Sequence, residues 1–200
     1  MSSRHLEAYL ASLPRGVDSY PDCVQKVSIS REFLRFLPSA GLSGKVPAPV
    51  EELLGKRLPA SAWVPEVHAC ALLLAILDAH FSDAEAFVAR AYVANKELLT
   101  GPLYRMLMFV ASPLYLARNA ESRWNTFHRG IKMATESLPQ EKSGTAVFRL
   151  EYPRLLLPEV LARSYSTAFK AALEAAGGRS VQVEVAGWQP ETCRFSCTWS

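Results

Sequence analysis

Residues 145–152 read TAVFRLEY, residues 158–178 read PEVLARSYSTAFKAALEAAGG, and residues 181–199 read VQVEVAGWQPETCRFSCTW. In the first stretch Ala146, Phe148 and Leu150 alternate with Thr145, Val147 and Arg149, the period of a half-buried strand. In the second, Leu161, Tyr165, Ala168, Phe169, Ala172 and Ala176 recur at helical spacing. Glu159, Arg163, Ser166, Lys170 and Glu174 fall opposite them, and Gly177 supplies a C-terminal cap. In the third, Val181, Val183 and Val185 alternate with Gln182 and Glu184. A turn falls around Trp188-Gln189-Pro190, and Cys193, Phe195, Cys197 and Trp199 share one face of a last strand. Upstream, Met133 to Leu138 faces the first stretch across Glu141-Lys142-Ser143-Gly144, which reads as a hairpin. A β-β-α-β-β order of this kind predicts an antiparallel sheet with one face covered by helix.

The residues before it read as helices. Pro/Gly-rich punctuation at 13–16 and 38–49 divides the first sixty residues into short pieces, one over about Asp22 to Leu37 and one over about Pro49 to Leu58. Trp63-Val64-Pro65 opens a helix with Pro65 in its first turn. Val67 to Leu77 is apolar nearly all round, so that helix is surrounded by protein. Ser82 with Glu85 makes a capping box for the next helix, whose inner stripe is Phe87, Ala91, Ala94 and Leu98. Thr100-Gly101-Pro102 stops it, and a short helix holding Tyr104, Met106, Met108 and Phe109 follows. Ser112-Pro113 starts another, with Ala117, Ala120, Trp124 and Phe127 on one face and Arg118, Glu121, Asn125 and Arg129 on the other. The expected class is α+β: N-terminal and central helices packed on a C-terminal ββαββ unit. Residues 1–60 are read as a helical extension packed on a main domain of 61–200, with helices over 65–130, the hairpin over 133–152, a helix over 158–176, and strands over 180–186 and 192–199.

Composition narrows the function classes. Half of the 200 residues are apolar and a fifth are charged, which places the chain among globular proteins and away from disorder. A chain this long buries roughly 70% of its unfolded surface and needs no disulfide or metal staple. The net charge of +3 gives no push toward nucleic acid or an anionic membrane. Glu7 interrupts the N-terminal segment before an apolar signal core develops, and the longest apolar run, Ala69 to Leu77, is half of what a membrane span needs. With no export signal, Cys23, Cys70, Cys193 and Cys197 read as reduced thiols in the cytoplasm.

No catalytic signature appears: there is no Gly-x-Ser-x-Gly, no phosphate-cradling glycine loop and no dinucleotide fingerprint. Gly177-Gly178 ends a helix, the wrong end for an anion. Cys193 and Cys197 stand four apart on a strand, about 13 Å, too far to share a zinc ion. His68, His80 and His128 read as helix-end or core-edge imidazoles, although Asp78 with His80 has the makings of a metal or proton-relay pair. Arg105, Arg118, Arg123, Arg129 and Lys132 outweigh Glu121 between Gly101 and Lys132, which a solvated helix face explains as well as an anionic partner does. The aromatic and methionine cluster is the candidate ligand pocket: Tyr92, Tyr104, Met108, Tyr115, Trp124, Phe127 and His128 are the candidate binding residues, with Met106 and Phe109 beside them. Plain core packing accounts for the same cluster.

Three stretches, Trp63-Val64-Pro65-Glu66-Val67-His68, Leu99-Thr100-Gly101-Pro102-Leu103-Tyr104-Arg105 with Arg123-Trp124-x-x-Phe127-x-Arg129-Gly130, and the C-terminal segment ending in Thr198-Trp199, together resemble a family of uncharacterised myxobacterial proteins. From about Ala111 onward, the pattern of helix, hairpin, amphipathic helix and two strands is similar to the 4-vinyl reductase type of small-molecule-binding domain. Its relatives are the haem nitric-oxide-binding domain and the vesicle-tethering subunits. The first cysteine of the vinyl reductase Cys…Gly…Cys pattern is absent, Ala186-Gly187-Trp188 standing nearby. The haem domain's Tyr-x-Ser-x-Arg motif is echoed by Tyr165-Ser166-Thr167-Ala168-Phe169, and the arginine that would hold haem propionates is absent. The resemblance implies a sensory or regulatory module that is not an enzyme and that takes an apolar small molecule. The alternative is a homodimerisation or protein-interaction module without a ligand. No cofactor, metal, nucleic acid or membrane span is expected.

Overall fold

The computed structural model describes residues 4–34, 41–55, 58–59, 61–101, 112–140 and 144–200. The predicted ββαββ unit is there. Strands β4 (Lys132–Ser137), β5 (Gly144–Glu151), β6 (Gln182–Gln189) and β7 (Thr192–Trp199) form one antiparallel sheet in the order β4-β5-β7-β6. Its central register pairs Ala146 with Cys197, Phe148 with Phe195 and Leu150 with Cys193, so these six apolar side chains fall on the same face, and all six are buried. The opposite face is charged. Arg149 lies directly across from Arg194, and Glu136 bridges them: it meets Arg149 Nε at 3.2 Å and accepts from Arg194 Nε at 2.8 Å. Without that carboxylate two like charges at one cross-strand position would repel.

The helix α8 (Glu159–Ala175) packs across the apolar face, with the Phe169 ring edge-on to Phe195 at 5.0 Å. Its end has the geometry of a Schellman cap: Gly177 takes φ +89°, its N–H bonds Glu174 O, and Gly178 N–H bonds Leu173 O. Of the stripe its spacing predicts, Leu161 and Ala176 are buried while Tyr165, Ala168, Phe169 and Ala172 are half-buried, and Ala162, Ser164, Thr167, Ala171 and Leu173 beside it are buried too. The cause is helix α5 (Ala84–Thr100), which runs against α8 on its other side. Asn95 donates to Thr167 inside that contact at 3.0 Å, Arg163 pairs with Glu85 at one end, and Tyr92 bonds Glu174 at the other. Phe87, Ala91 and Ala94 are buried as their stripe predicts. The cap is Asp83, not the predicted Ser82–Glu85 box: Asp83 Oδ1 accepts from Ala86 N–H at 2.8 Å, and Ser82 only supports it. Aspartate is the stronger acceptor one residue on.

Helix α4 (Glu66–His80) is the buried core helix its composition predicts, joined to α5 through a bend of 118°. Among the described residues no single helix is long and apolar enough to cross a membrane. Helix α1 (Arg4–Ser12) packs on α4. Its start is held by Asp78, whose carboxylate accepts from the backbone N–H groups of His5 and Leu6 and from the His5 ring. Asp78 therefore does not pair with His80.

Three further expectations are corrected. Residues 22–26 are not helical: β1 (Val24–Lys26) pairs with β2 (Trp63–Pro65) and with the two-residue β3 (His128–Arg129) in a second small sheet. Helix α2 covers only Val27–Leu34, and residues 35–37 lie outside the described residues. Trp63-Val64-Pro65 likewise is a strand, with Pro65 as the residue before α4. Strands this short carry too few residues for alternation to show. The close packing here admits only glycine at 130. A Cβ there would meet Asp22 O and Cys23 Sγ at 2.7 Å, and φ is +77°. The helix predicted after Ser112 is two, α6 (Pro113–Arg118) and α7 (Ala120–Phe127), broken at Asn119. Helix α3 (Ala48–Gly55) stands where the second N-terminal piece was expected.

Candidate functional site

Between the helices and the sheet lies a partly enclosed cavity of about 300 Å³. Met133, Phe148 and Cys197 reach it from the sheet, and Tyr165, Ala168, Phe169, Ala172 and Leu173 from α8. Leu72 and Leu73 of α4 and Asn95, Leu98 and Leu99 of α5 line it from above. Leu116, Ala117, Ala120, Arg123, Trp124 and Phe127 line it from α6 and α7, and Ile29, Ser30 and Leu34 from α2.

One wall is aromatic. The Trp124 indole lies flat on the His128 imidazole, centroids 3.9 Å apart and planes 10° from parallel. The Tyr165 ring stands edge-on to both, at 5.8 and 6.1 Å. Trp124 Nε1 donates to Ile131 O at 3.0 Å, so the buried indole leaves no polar atom unpaired. Behind this wall sits Glu66, with no exposed surface. Tyr165 OH donates to Glu66 Oε1 at 2.5 Å, and His128 Nδ1 faces Glu66 Oε2 at 3.4 Å. Burial first, and then the Glu66 carboxylate, hold the Tyr165 phenol well above its ordinary pKa. A buried carboxylate needs such partners, because leaving it unsatisfied costs several kcal/mol.

Two polar atoms on the lining have no such partner among the described residues: Ser30 Oγ and Arg123 Nε are buried there without a hydrogen bond. The Arg123 guanidinium lies 5.6 Å from the Tyr115 ring.

Of the sequence-derived candidates, Trp124, Phe127 and His128 come together on the cavity. Tyr92 does not line it. That phenol bonds Glu174, which raises its pKa to about 12, and Lys170 and Lys96 flank its ring. Tyr115 is 50% exposed and lies off the lining. Tyr104 and Met108, with Met106 and Phe109, lie outside the described residues. Glu66, Arg123 and Ser30 were not singled out in the sequence as site residues. Phe148 was read there only as core; Tyr165 and Phe169 were read as core and as the ends of the stretch that echoes the haem domain's motif.

The remaining histidines and cysteines are scattered. His68 is half-buried, and burial lowers its pKa; His80 Nε2 is buried without a partner among the described residues. Cys193 and Cys197 are fully buried on the inner face of β7. Among the described residues no group of three or more His, Cys, Asp or Glu could hold a metal ion.

The arrangement of helices over a four-stranded antiparallel sheet has counterparts among solved structures. An oxygen-binding H-NOX domain related to soluble guanylate cyclases superposes with a TM-score of 0.57, over 88% of this chain and 95% of that one, at 5% identity. An H-NOX protein from S. oneidensis gives 0.54, over 86% and 95%, at 10% identity. One from K. algicida, in its Fe(II) unliganded state, gives 0.51, over 88% and 96%, at 8% identity. The chain shares the H-NOX fold. No protein-family model and no curated protein sequence matches it. At such identities the likeness carries the fold and nothing finer, so what the cavity holds rests on the chain's own residues.

Proposed function

We propose that this protein is a cytoplasmic sensory or regulatory module, not an enzyme, that holds an apolar small molecule between its helices and its sheet. The cavity supports this reading: about 300 Å³, with walls of leucine, alanine and aromatic side chains and few polar atoms, which suits a small-molecule site. The four buried free cysteines are in keeping with a reducing compartment. The ligand-binding residues of this reading are Trp124, Phe127 and His128, joined by Tyr165, Phe148 and Phe169. Tyr104 and Met108 remain candidates from the sequence alone.

Haem is the group that studies of the H-NOX family concern, and the residues here do not fit it. A cavity of ~150 Å³ takes one benzene, so twice that volume takes about twelve non-hydrogen atoms, roughly a third of a haem. His128 is the one histidine on the described lining, and its imidazole is covered on a face by Trp124 and turned by Nδ1 toward Glu66. The alternative of a dimer or partner module has less behind it. Val93, Tyr115 and Leu138, the exposed large apolar side chains among the described residues, sit on separate segments, which is ordinary for a monomer's surface.

Native mass spectrometry of protein purified from its source cells tests the reading. The expected result is a monomer carrying a non-covalent adduct of roughly 150–250 Da, matching about twelve heavy atoms, which is lost on denaturation. A bare homodimer would overturn it and favour the interaction module.

A further inference from the structure

Resting on the reading of the cavity as a ligand site, we propose that its ligand is an amphipathic monoanion. The class is a carboxylic acid of about ten carbons or an aromatic acid of similar size, with its head group at Arg123 and Ser30. The two unpartnered polar atoms of the lining carry the argument. Buried donors and acceptors without partners are rare, because each costs on the order of 1–3 kcal/mol when unsatisfied. Here both belong to side chains facing the same apolar space, Ser30 Oγ from α2 and Arg123 Nε from α7. Arg123 makes no ion pair among the described residues; its described contact is the Tyr115 ring. Asn95, Tyr165 and His128, also on the lining, are already engaged: Asn95 with Thr167, and Tyr165 and His128 with Glu66.

A neutral apolar ligand would leave Arg123 Nε and Ser30 Oγ unsatisfied, and a cationic one would be repelled by the guanidinium. A carboxylate meets the planar N–H fork of an arginine in its own plane, and a hydroxyl can donate to the same oxygens. One guanidinium balances one negative charge, which favours a carboxylate over a phosphate dianion in so apolar a space. The size agrees. About twelve non-hydrogen atoms fill the cavity, and a ten-carbon acid has that many. Its chain would run along Phe169, Ala168 and Leu173 toward the sheet.

Calorimetric titration of the full chain with decanoate, decanol and decylamine at about pH 8 tests this. Decanoate should bind about tenfold or more tighter than decanol, and decylamine more weakly than either. Arg123→Met should bring decanoate to within about twofold of decanol while decanol itself is unchanged. Ala168→Trp, which fills the cavity from α8, should abolish all binding. Equal affinities for acid and alcohol in the unaltered protein would overturn the anionic head group while leaving the apolar site standing. No binding of any of the three probes would overturn the cavity reading with it. The comparison of probes on the unaltered protein decides the matter even if either variant fails to fold.

Discussion

Trp124 shows how far single residues are legible. Its spacing with Ala117, Ala120 and Phe127 places it on the inward face of its helix, and the structure buries it to 7% exposure. Trp124→Ala removes the indole from the cavity wall, its bond to Ile131 O and its stack on His128. The loss should be roughly 3–5 kcal/mol, the usual cost of truncating a buried tryptophan. Urea titration should show a lower midpoint at unchanged slope. An unchanged midpoint with a shifted monomer–dimer equilibrium would instead make Trp124 an interface anchor. Glu66 shows the opposite limit. A glutamate in the first turn of a helix is what an exposed helix start presents, since it complements the dipole there. Only Tyr165 and His128, 99 and 62 residues away in sequence, turn it into the buried centre of the cavity's rear wall. Nothing local announces that, and Arg123 hides in the same way among arginines that read as a solvated face.

Among elements, legibility follows length and local signals. Helix α8, the hairpins and α5 carry many periods and recognisable ends, and they stand close to where the periodicity puts them. Strands β1, β2 and β3 have two or three residues each and are held by partners distant in sequence, so no pattern could announce them. The break at Asn119 has no glycine or proline to mark it; the Asn119 side chain bonds Tyr115 O and ends the turn. The extension is expected to pack on the rest of the chain, but how α1 is held has no local signal, because it depends on one carboxylate from α4. Asp78 accepts from the first N–H groups of α1, which the helix itself leaves unsatisfied. Asp78→Ala should cost about 2 kcal/mol, as losing bonds to a buried charge does. Hydrogen exchange should quicken at the Leu6 amide well before the β5 and β7 amides respond. Parallel acceleration in both places would mean that α1 and the sheet open as one unit.

At the scale of the whole molecule, the fold divides labour between the faces of its sheet. The outer face pairs its charges through Glu136, while the inner face buries the thiols of Cys193 and Cys197 among apolar side chains. This layering follows from alternation and was readable; the cavity it leaves depends on how helices from both halves of the chain meet over the sheet, which no single segment encodes. The layering also fixes a pH dependence. Burial raises the Cys23 thiol to about 11 and the Cys193 and Cys197 thiols to about 12, and lifts Cys70, Tyr9 and Tyr165 as well. In the unfolded chain these thiols ionise near their ordinary value of about 9, while the folded chain keeps them protonated. Their contribution is therefore fully present below about pH 9 and is lost as pH rises through the range of about 11 to 12. The urea midpoint should accordingly be level from about pH 7 to 9 and fall steadily above it. The same protection should keep all four thiols from fast reaction with an aromatic disulfide at about pH 8, with four reacting after denaturation. Rapid reaction of Cys193 or Cys197 in the folded protein would show that the inner face of the sheet opens to water. Cys197, which lies on the cavity lining, would then be the one that a bound ligand should protect.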